Sequence, residues 1–282
     1  MKSIITKFSI FTATVAVVAS AHAGNITVKG SDTLVILAQK WAEVYMGKNL
    51  GTKIQVTGGG SGIGFAALQN KTTDLANASR KIKAKEQEAC VKAFKLRPTE
   101  YKVALDGLSV YVNEENKVSE LSLEQIAGIF TGQIKNWKEV GGNDAPITMY
   151  SRENSSGTYE FFKEHVLKGK DFASRAQTLQ GTAQVIQNVA KEKNGIGYGG
   201  GAYGAGVKHL KVKEAEGSPA IEPTEETVVN GTYPIWRYLY IYVNPALDKG
   251  EIASYLTWIR SDEGQKVVKD VGYYPLPANF RK

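Results

Sequence analysis

The chain has 282 residues, 42% hydrophobic and 22% charged, with a formal net charge of +7 and one cysteine, Cys90. That length allows a buried core in one large or two smaller domains, and a lone cysteine excludes a disulfide scaffold. The lysines are scattered apart from a mild cluster at Lys81, Lys83 and Lys85, which reads as a solvated basic surface that attracts anions and not as a nucleic-acid stripe.

Residues 1–23 have the form of a secretory signal: Lys2 and Lys7, an apolar run from Phe8 to Ala19, then Ala21-His22-Ala23 as a small-x-small cleavage site. The run is too short to be a stable membrane span, and no cysteine stands at the cleavage point for a lipid. The expectation is a soluble protein that starts at Gly24 and lies in the periplasm or is secreted.

Strand-like and helix-like runs then alternate. Ile26–Lys29 predicts a strand, and a helix over Thr33–Met46 carries Leu34, Leu37, Ala38, Trp41 and Tyr45 at helical spacing. A strand at Lys53–Thr57 leads into a helix over Gly62–Asn70. Further strands are expected at Leu108–Asn113, Ile147–Tyr150 and Ile196–Gly199. Helices are expected over Leu123–Phe130, where Leu123, Ile126, Ala127 and Phe130 form an apolar stripe, and over Thr158–Leu167, Ala183–Lys193 and Ile252–Arg260. Polar residues 211–233 read as an irregular excursion. In Arg237–Val243, Tyr238, Tyr240 and Tyr242 alternate with Leu239, Ile241 and Val243, as in a strand covered on both faces. The alternation predicts α/β layers.

Three helix openings share one chemistry: Gly30-Ser-Asp-Thr-Leu, Gly58-Gly-Gly-Ser-Gly-Ile-Gly and Arg152-Glu-Asn-Ser-Ser-Gly-Thr. A helix start presents unpaired N–H groups and a positive dipole end, so it holds anions. Ser61, Ser156 and Thr158 add hydroxyls, Gly157 admits a ligand to the backbone, and Arg152 offers a fork that fits a tetrahedral oxyanion bidentately. Together they suggest one anion site, the plainer alternative being three ordinary helix caps.

Other chemistries fit poorly. Around Ser61 the nucleophile-elbow pattern fails at Ile63. His165 and His209, the histidines left after signal removal, read as structural or solvated, and no His/Cys spacing makes a metal site. Phe65 and Ala66 stand where a nucleotide-binding loop needs Lys and Ser/Thr. Gly195-Ile-Gly-Tyr-Gly-Gly reads as a strand with close backbone approach, and the four tryptophans as core.

With Ala76-Asn-Ala-Ser-Arg and the run Leu123-Glu-Gln-Ile-Ala-Gly-Ile-Phe-Thr-Gly-Gln-Ile-Lys-Asn-Trp-Lys-Glu-Val-Gly-Gly, these segments resemble, in order and spacing across nearly the whole mature chain, the periplasmic phosphate-binding proteins of high-affinity phosphate ABC importers. The resemblance implies a type II, two-lobed α/β clamp with crossover strands, lobe one being 24–107 plus 240–282 and lobe two 108–239. It implies a non-enzymatic monomer without cofactor or metal that takes inorganic phosphate and meets an inner-membrane ABC permease. Its ligand contacts would be Ser31, Asp32, Thr33, Ser61, Arg152, Ser156, Gly157 and Thr158. Many members carry aspartate where Arg80 stands and threonine where Asp32 stands. An exchange of roles is therefore expected, with Asp32 accepting the proton of phosphate and Arg80 donating to it; the alternative is that Asp32 caps its helix and pairs with Arg80. Asn154 stands where an acid often orients the arginine, which leaves Glu153 to hold Arg152. The rival readings are a clamp for sulfate, tungstate or an organophosphate, a secreted phosphatase-like enzyme, or an adhesin.

Overall fold

The computed structural model describes residues 24–281; the export signal expected over 1–23 lies outside them. The first half of the chain runs β1 (Asn25–Gly30), α1 (Val35–Lys48), β2 (Lys53–Thr57), α2 (Ser61–Gln69), β3 (Leu75–Ala78), α3 (Ala84–Phe94) and β4 (Thr99–Gly107). It continues through β5 (Ser109–Val112), β6 (Glu120–Ser122), α4 (Leu123–Phe130), β7 (Thr148–Arg152), α5 (Gly157–His165), β8 (Gln177–Leu179), α6 (Gly181–Lys191) and β9 (Gly195–Gly199). Three short strands, β10 (Lys208–His209), β11 (Lys211–Lys213) and β12 (Ala220–Ile221), precede α7 (Glu225–Val229), β13 (Trp236–Val243), α8 (Gly250–Arg260) and α9 (Asp262–Val271).

Two five-stranded sheets result, in the orders β2-β1-β3-β13-β4 and β10-β5-β9-β7-β8. In the first, β1 pairs in parallel with β2 and β3, while β13 is antiparallel to β3 and β4. In the second, β7 is parallel to β8 and β9, and β5 antiparallel to β9. The parallel strands require helical crossovers, so each sheet is layered with helices. The chain crosses between the sheets after Gly107 and returns along β13, which pairs with β4 from Trp236 to Val243 and so runs through the boundary expected at 240.

Each sheet has its own core. Trp41, Leu37, Ile26, Val28, Ile241 and Leu256 fill the first; Phe130, Phe162, Tyr198, Ile129 and Trp137 fill the second, with Phe162 stacked on Tyr198 at 3.9 Å between ring centroids. Burial of each such side chain is worth about 1.5–3 kcal/mol. The two-faced reading of β13 is seen directly. Leu239, Ile241 and Val243 enter the α1 side, while Tyr240 and Tyr242 pack with Phe65, Leu68 and Cys90 on the α2–α3 side.

Several elements lie outside the expected set, β3, β4, α3 and α9 among them. β3 is four buried residues with no alternation, and β4 mixes Lys102 and Asp106 with its apolar residues. The helices α3 and α9 are rich in charged residues and bury only a few side chains each. The polar excursion folds as well: β11 joins β12 and β6 in a three-stranded sheet, and α7 has a capping box from Thr224 to Thr227.

Two glycines give contrasting tests of this packing. Gly30 has φ +142°, and a Cβ there would lie 2.1 Å from the Asn77 carbonyl oxygen; Gly47, in α1, has open space around it. Gly30→Ala should lower the unfolding free energy by at least about 2 kcal/mol, and Gly47→Ala should raise it by roughly 0.5 kcal/mol. Urea melts would decide: equal midpoints for the two variants would refute the close approach of β1 to β3.

Candidate functional site

The three expected turns stand at the C-terminal ends of β1, β2 and β7, and each opens a helix. Behind β1 the chain makes a tight 3-10 turn, Asp32–Leu34. Its start is pinned by the Ser31 N–H donating to Asn77 O at 2.8 Å. Its carbonyls are taken from below: the Tyr203 hydroxyl donates to Asp32 O at 2.7 Å and the Tyr273 hydroxyl to Thr33 O at 2.6 Å. Burial pushes the Tyr203 pKa up to about 12, so this donor keeps its proton. Behind β2, Gly60 has φ +95° and a Cβ there would sit 2.5 Å from Ser155 O. The Gly62 N–H donates to that same oxygen at 2.9 Å, which seats the loop before α5 on the first turn of α2.

These turns bring a set of hydroxyls together between the sheets. Thr33 Oγ1 lies 2.7 Å from Thr158 Oγ1, Ser79 Oγ lies 3.4 Å from both Thr158 Oγ1 and Ser61 Oγ, and the Ser79 N–H donates to Ser61 Oγ at 3.0 Å. All four side chains are buried, as is Ser31, whose hydroxyl has no partner among the described residues. Buried polar atoms are normally satisfied, and the Ser31 hydroxyl is among the few here without a protein partner. Ser156 caps α5, accepting from the N–H groups of Thr158 and Tyr159 at 3.2 Å. Gly157 sits between the lobes: a Cβ there would fall 2.2 Å from Ser61 Oγ and 2.8 Å from Ser79 Oγ. Six of the expected residues, Ser31, Thr33, Ser61, Ser156, Gly157 and Thr158, thus lie in or beside one buried cluster.

The arginines are arranged differently from the expectation. Arg152 is buried, and its guanidinium donates to Asp32 Oδ2 at 2.9 Å, to Glu153 Oε1 at 2.9 Å and to Thr182 Oγ1 at 2.9 Å. Glu153 therefore does hold Arg152. Asp32 accepts both from Arg152 and from the Gly59 N–H at 2.8 Å. Burial raises the Asp32 pKa above its ordinary value, against the opposing pull of the Gly59 N–H and of Arg152. Arg80 is not beside Asp32 and does not donate into the cluster. It donates to Glu86 through two 2.8 Å bonds and to Lys81 O at 2.9 Å, and its Nε pairs with Glu160 Oε2 at 2.5 Å. Two carboxylates and a carbonyl take up the fork, so the alternative pairing with Asp32 is corrected, and Arg80 stands apart from the hydroxyl cluster.

A further buried ion pair, Arg237 with Asp106, lies outside the expected site. Arg237, on β13, donates to Asp106 Oδ2 from Nε at 2.9 Å and from Nη2 at 2.7 Å, to Ser79 O at 3.1 Å and to Thr158 Oγ1 at 3.1 Å. The Gly201 N–H donates to the other Asp106 oxygen at 3.0 Å. Both side chains are buried.

Among the described residues no group of His, Cys, Asp and Glu is placed to hold a metal ion. His165 stacks on Phe161, and His209 is half-buried against Tyr111, where burial lowers its pKa. A buried set of hydroxyls, glycine backbone and a braced arginine is suited to holding a small oxyanion.

A family model described as a PBP superfamily domain matches residues 16–263. The phosphate-binding protein PstS of Pseudomonas aeruginosa strain PAO1 is 38% identical over 92% of this chain and 85% of its own length. The chain belongs to the phosphate-binding protein family. Protein SphX of Synechococcus elongatus is 33% identical over 92% of the chain and 80% of its own length. Among solved structures, one from Clostridium perfringens, described as a phosphate ABC transporter substrate-binding protein with bound phosphate, superposes with a TM-score of 0.82 at 29% identity, covering 90% of this chain and all of that one. The two-lobed α/β architecture is that of the family.

Ser79 and Arg237 are additions to the expected site. Ser79 belongs to the Ala76-Asn-Ala-Ser-Arg motif, at the turn that follows β3. Arg237 was visible as a charge inside an otherwise apolar and aromatic strand, a placement that calls for a buried partner. Because Asp106 is that partner, Asp106→Asn should leave Arg237 uncompensated and lower the unfolding free energy by about 3–5 kcal/mol. A urea-derived loss under about 1 kcal/mol would mean that the pair is solvated and carries little of the site's rigidity.

Proposed function

We propose that the chain is a solute-binding protein that captures inorganic phosphate between its two lobes and delivers it to an inner-membrane ABC permease. The observation that carries this is the buried convergence of Ser31, Thr33, Ser61, Ser79, Gly157 and Thr158 beside the braced Arg152. The names of the relatives and the phosphate-bound structural neighbour support the same ligand. In this reading the signal is cleaved after Ala23 and the mature chain works as a monomer in the periplasm. The lobes divide as 24–107 with 240–282 against 108–239, with β4 and β13 running through the boundary. It acts on its ligand by binding alone: purified mature chain should bind phosphate once, without a divalent cation, and release none from a chromogenic phosphate ester. A metal requirement or ester turnover would overturn the reading.

Arg152 supplies the charge-assisted contact. Losing a buried partner of this kind costs roughly 2–5 kcal/mol, so Arg152→Ala should weaken phosphate binding about 30-fold or more, as read by calorimetry on a variant whose circular dichroism is unchanged. Asp32 supplies the proton acceptor. Each of its oxygens takes one protein hydrogen bond, which leaves lone pairs free for a protonated anion. Phosphate carries such a proton near neutral pH and sulfate does not. Asp32→Asn should therefore narrow the ratio of sulfate to phosphate dissociation constants. An unchanged ratio would reduce Asp32 to a brace for Arg152 and the Gly59 turn.

A further inference from the structure

We infer that Arg237 is a positioning residue of the anion site, acting through Thr158: it fixes the direction in which that hydroxyl donates. The inference rests on the phosphate reading. It starts from the donor inventory. A guanidinium has only N–H donors, whereas a hydroxyl has one proton and two lone pairs. With Arg237 Nη2 at 3.1 Å, Thr158 Oγ1 must accept. Its own proton is then turned away from Arg237, toward the side where Thr33 Oγ1 and Ser79 Oγ stand at 2.7 Å and 3.4 Å. An anion admitted among these hydroxyls meets Thr158 already aligned as a donor, so no reorientation is needed on binding.

The arginine is itself held from several directions. Asp106 on β4 takes Nε and Nη2, Ser79 O takes Nη1, and the Phe161 ring of α5 lies 5.2 Å from the guanidinium carbon. Arg237 sits on the strand that returns between the lobes, and it touches the turn after β3 on one side and the start of α5 on the other. It therefore ties the ligand-facing hydroxyl of the second lobe to the strand that passes between the lobes. Asp106 supports it without reaching the hydroxyls, its second oxygen being occupied by the Gly201 N–H.

A purely structural role for the Arg237–Asp106 pair would also weaken binding on mutation, so the test is a double-mutant cycle on the mature chain with inorganic phosphate, read by calorimetry. Arg237→Lys keeps the charge beside Asp106 but cannot span Asp106, Ser79 O and Thr158 together. It should weaken phosphate binding about tenfold in the wild-type background and less than about twofold in a Thr158→Val background. In a Thr158→Ser background, which keeps the hydroxyl, the tenfold sensitivity should return. The neutral pair Asp106→Asn/Arg237→Gln runs the same cycle without stranding a buried charge, should Arg237→Lys fold poorly. Equal losses in the wild-type and Thr158→Val backgrounds would overturn the inference alone, whereas a wild-type chain that binds no phosphate would overturn the functional reading and the inference with it.

Discussion

Gly157 sets how closely the two lobes meet. Its missing Cβ leaves room for the Ser61 and Ser79 hydroxyls, which a side chain there would strike at 2.2 Å and 2.8 Å. Because α5 can rest this near to α2 and the turn after β3, Thr158 reaches Thr33 at 2.7 Å and the seat of Ser155 on Gly62 can form. The glycines on the opposite side are chosen on the same ground: Gly60 makes way for the Ser155 carbonyl, and Gly64 lies where a Cβ would press on Gly30 at 2.8 Å. The site is thus built from positions at which backbone, and not side chain, must come forward, and the hydroxyls fill what is left.

Much of this was legible in the sequence because helix starts announce themselves. A strand-like run, a glycine, a small hydroxyl residue and then helical periodicity locate Ser31–Thr33, Ser61 and Ser156–Thr158 without any tertiary knowledge. What could not be read is which charges meet. Arg80 stands at the family's acid position, but it is paired with Glu86, in the first turn of α3, which also accepts the Lys83 N–H at 2.9 Å. Lysine cannot serve as a side-chain N-cap, so the start of α3 carries no cap signal in the sequence, and no such signal marks the carboxylate that draws Arg80 away. Asp106 was hidden for a related reason: β4 carries no clean alternation, and its partner Arg237 is 131 residues away.

The charge pairs that bridge the lobes run in opposite senses. The first lobe lends a carboxylate, Asp32, to Arg152 of the second at 2.9 Å, while the second lends Glu160 on α5 to Arg80 at 2.5 Å and Lys83 at 2.7 Å of the first. These contacts exist only while the lobes are together, so they favour the closed arrangement over an open one. Their weights differ. Lys83 is more than half exposed and contributes little, whereas Arg152 is shielded from water and its pairing is correspondingly strong.

This arrangement bears on what anion the cleft can hold. Arg152 is already met by Asp32 and Glu153, Arg237 by Asp106, and Arg80 by Glu86 and Glu160. An anion entering the cluster is therefore balanced chiefly by hydroxyl and backbone donors and by a shared claim on Arg152, not by an arginine held in reserve. Donors of this kind stabilise oxygen atoms in any tetrahedral oxyanion, so they confer affinity without discrimination. In the phosphate reading proposed above, discrimination comes from Asp32, one of the two carboxylates that share Arg152: a dianion without a proton is repelled by it, while one that carries a proton can place it between the two oxygens and turn that repulsion into a charge-assisted hydrogen bond. Burial raises the Asp32 pKa, which in that reading makes the carboxylate a better acceptor for the ligand's proton.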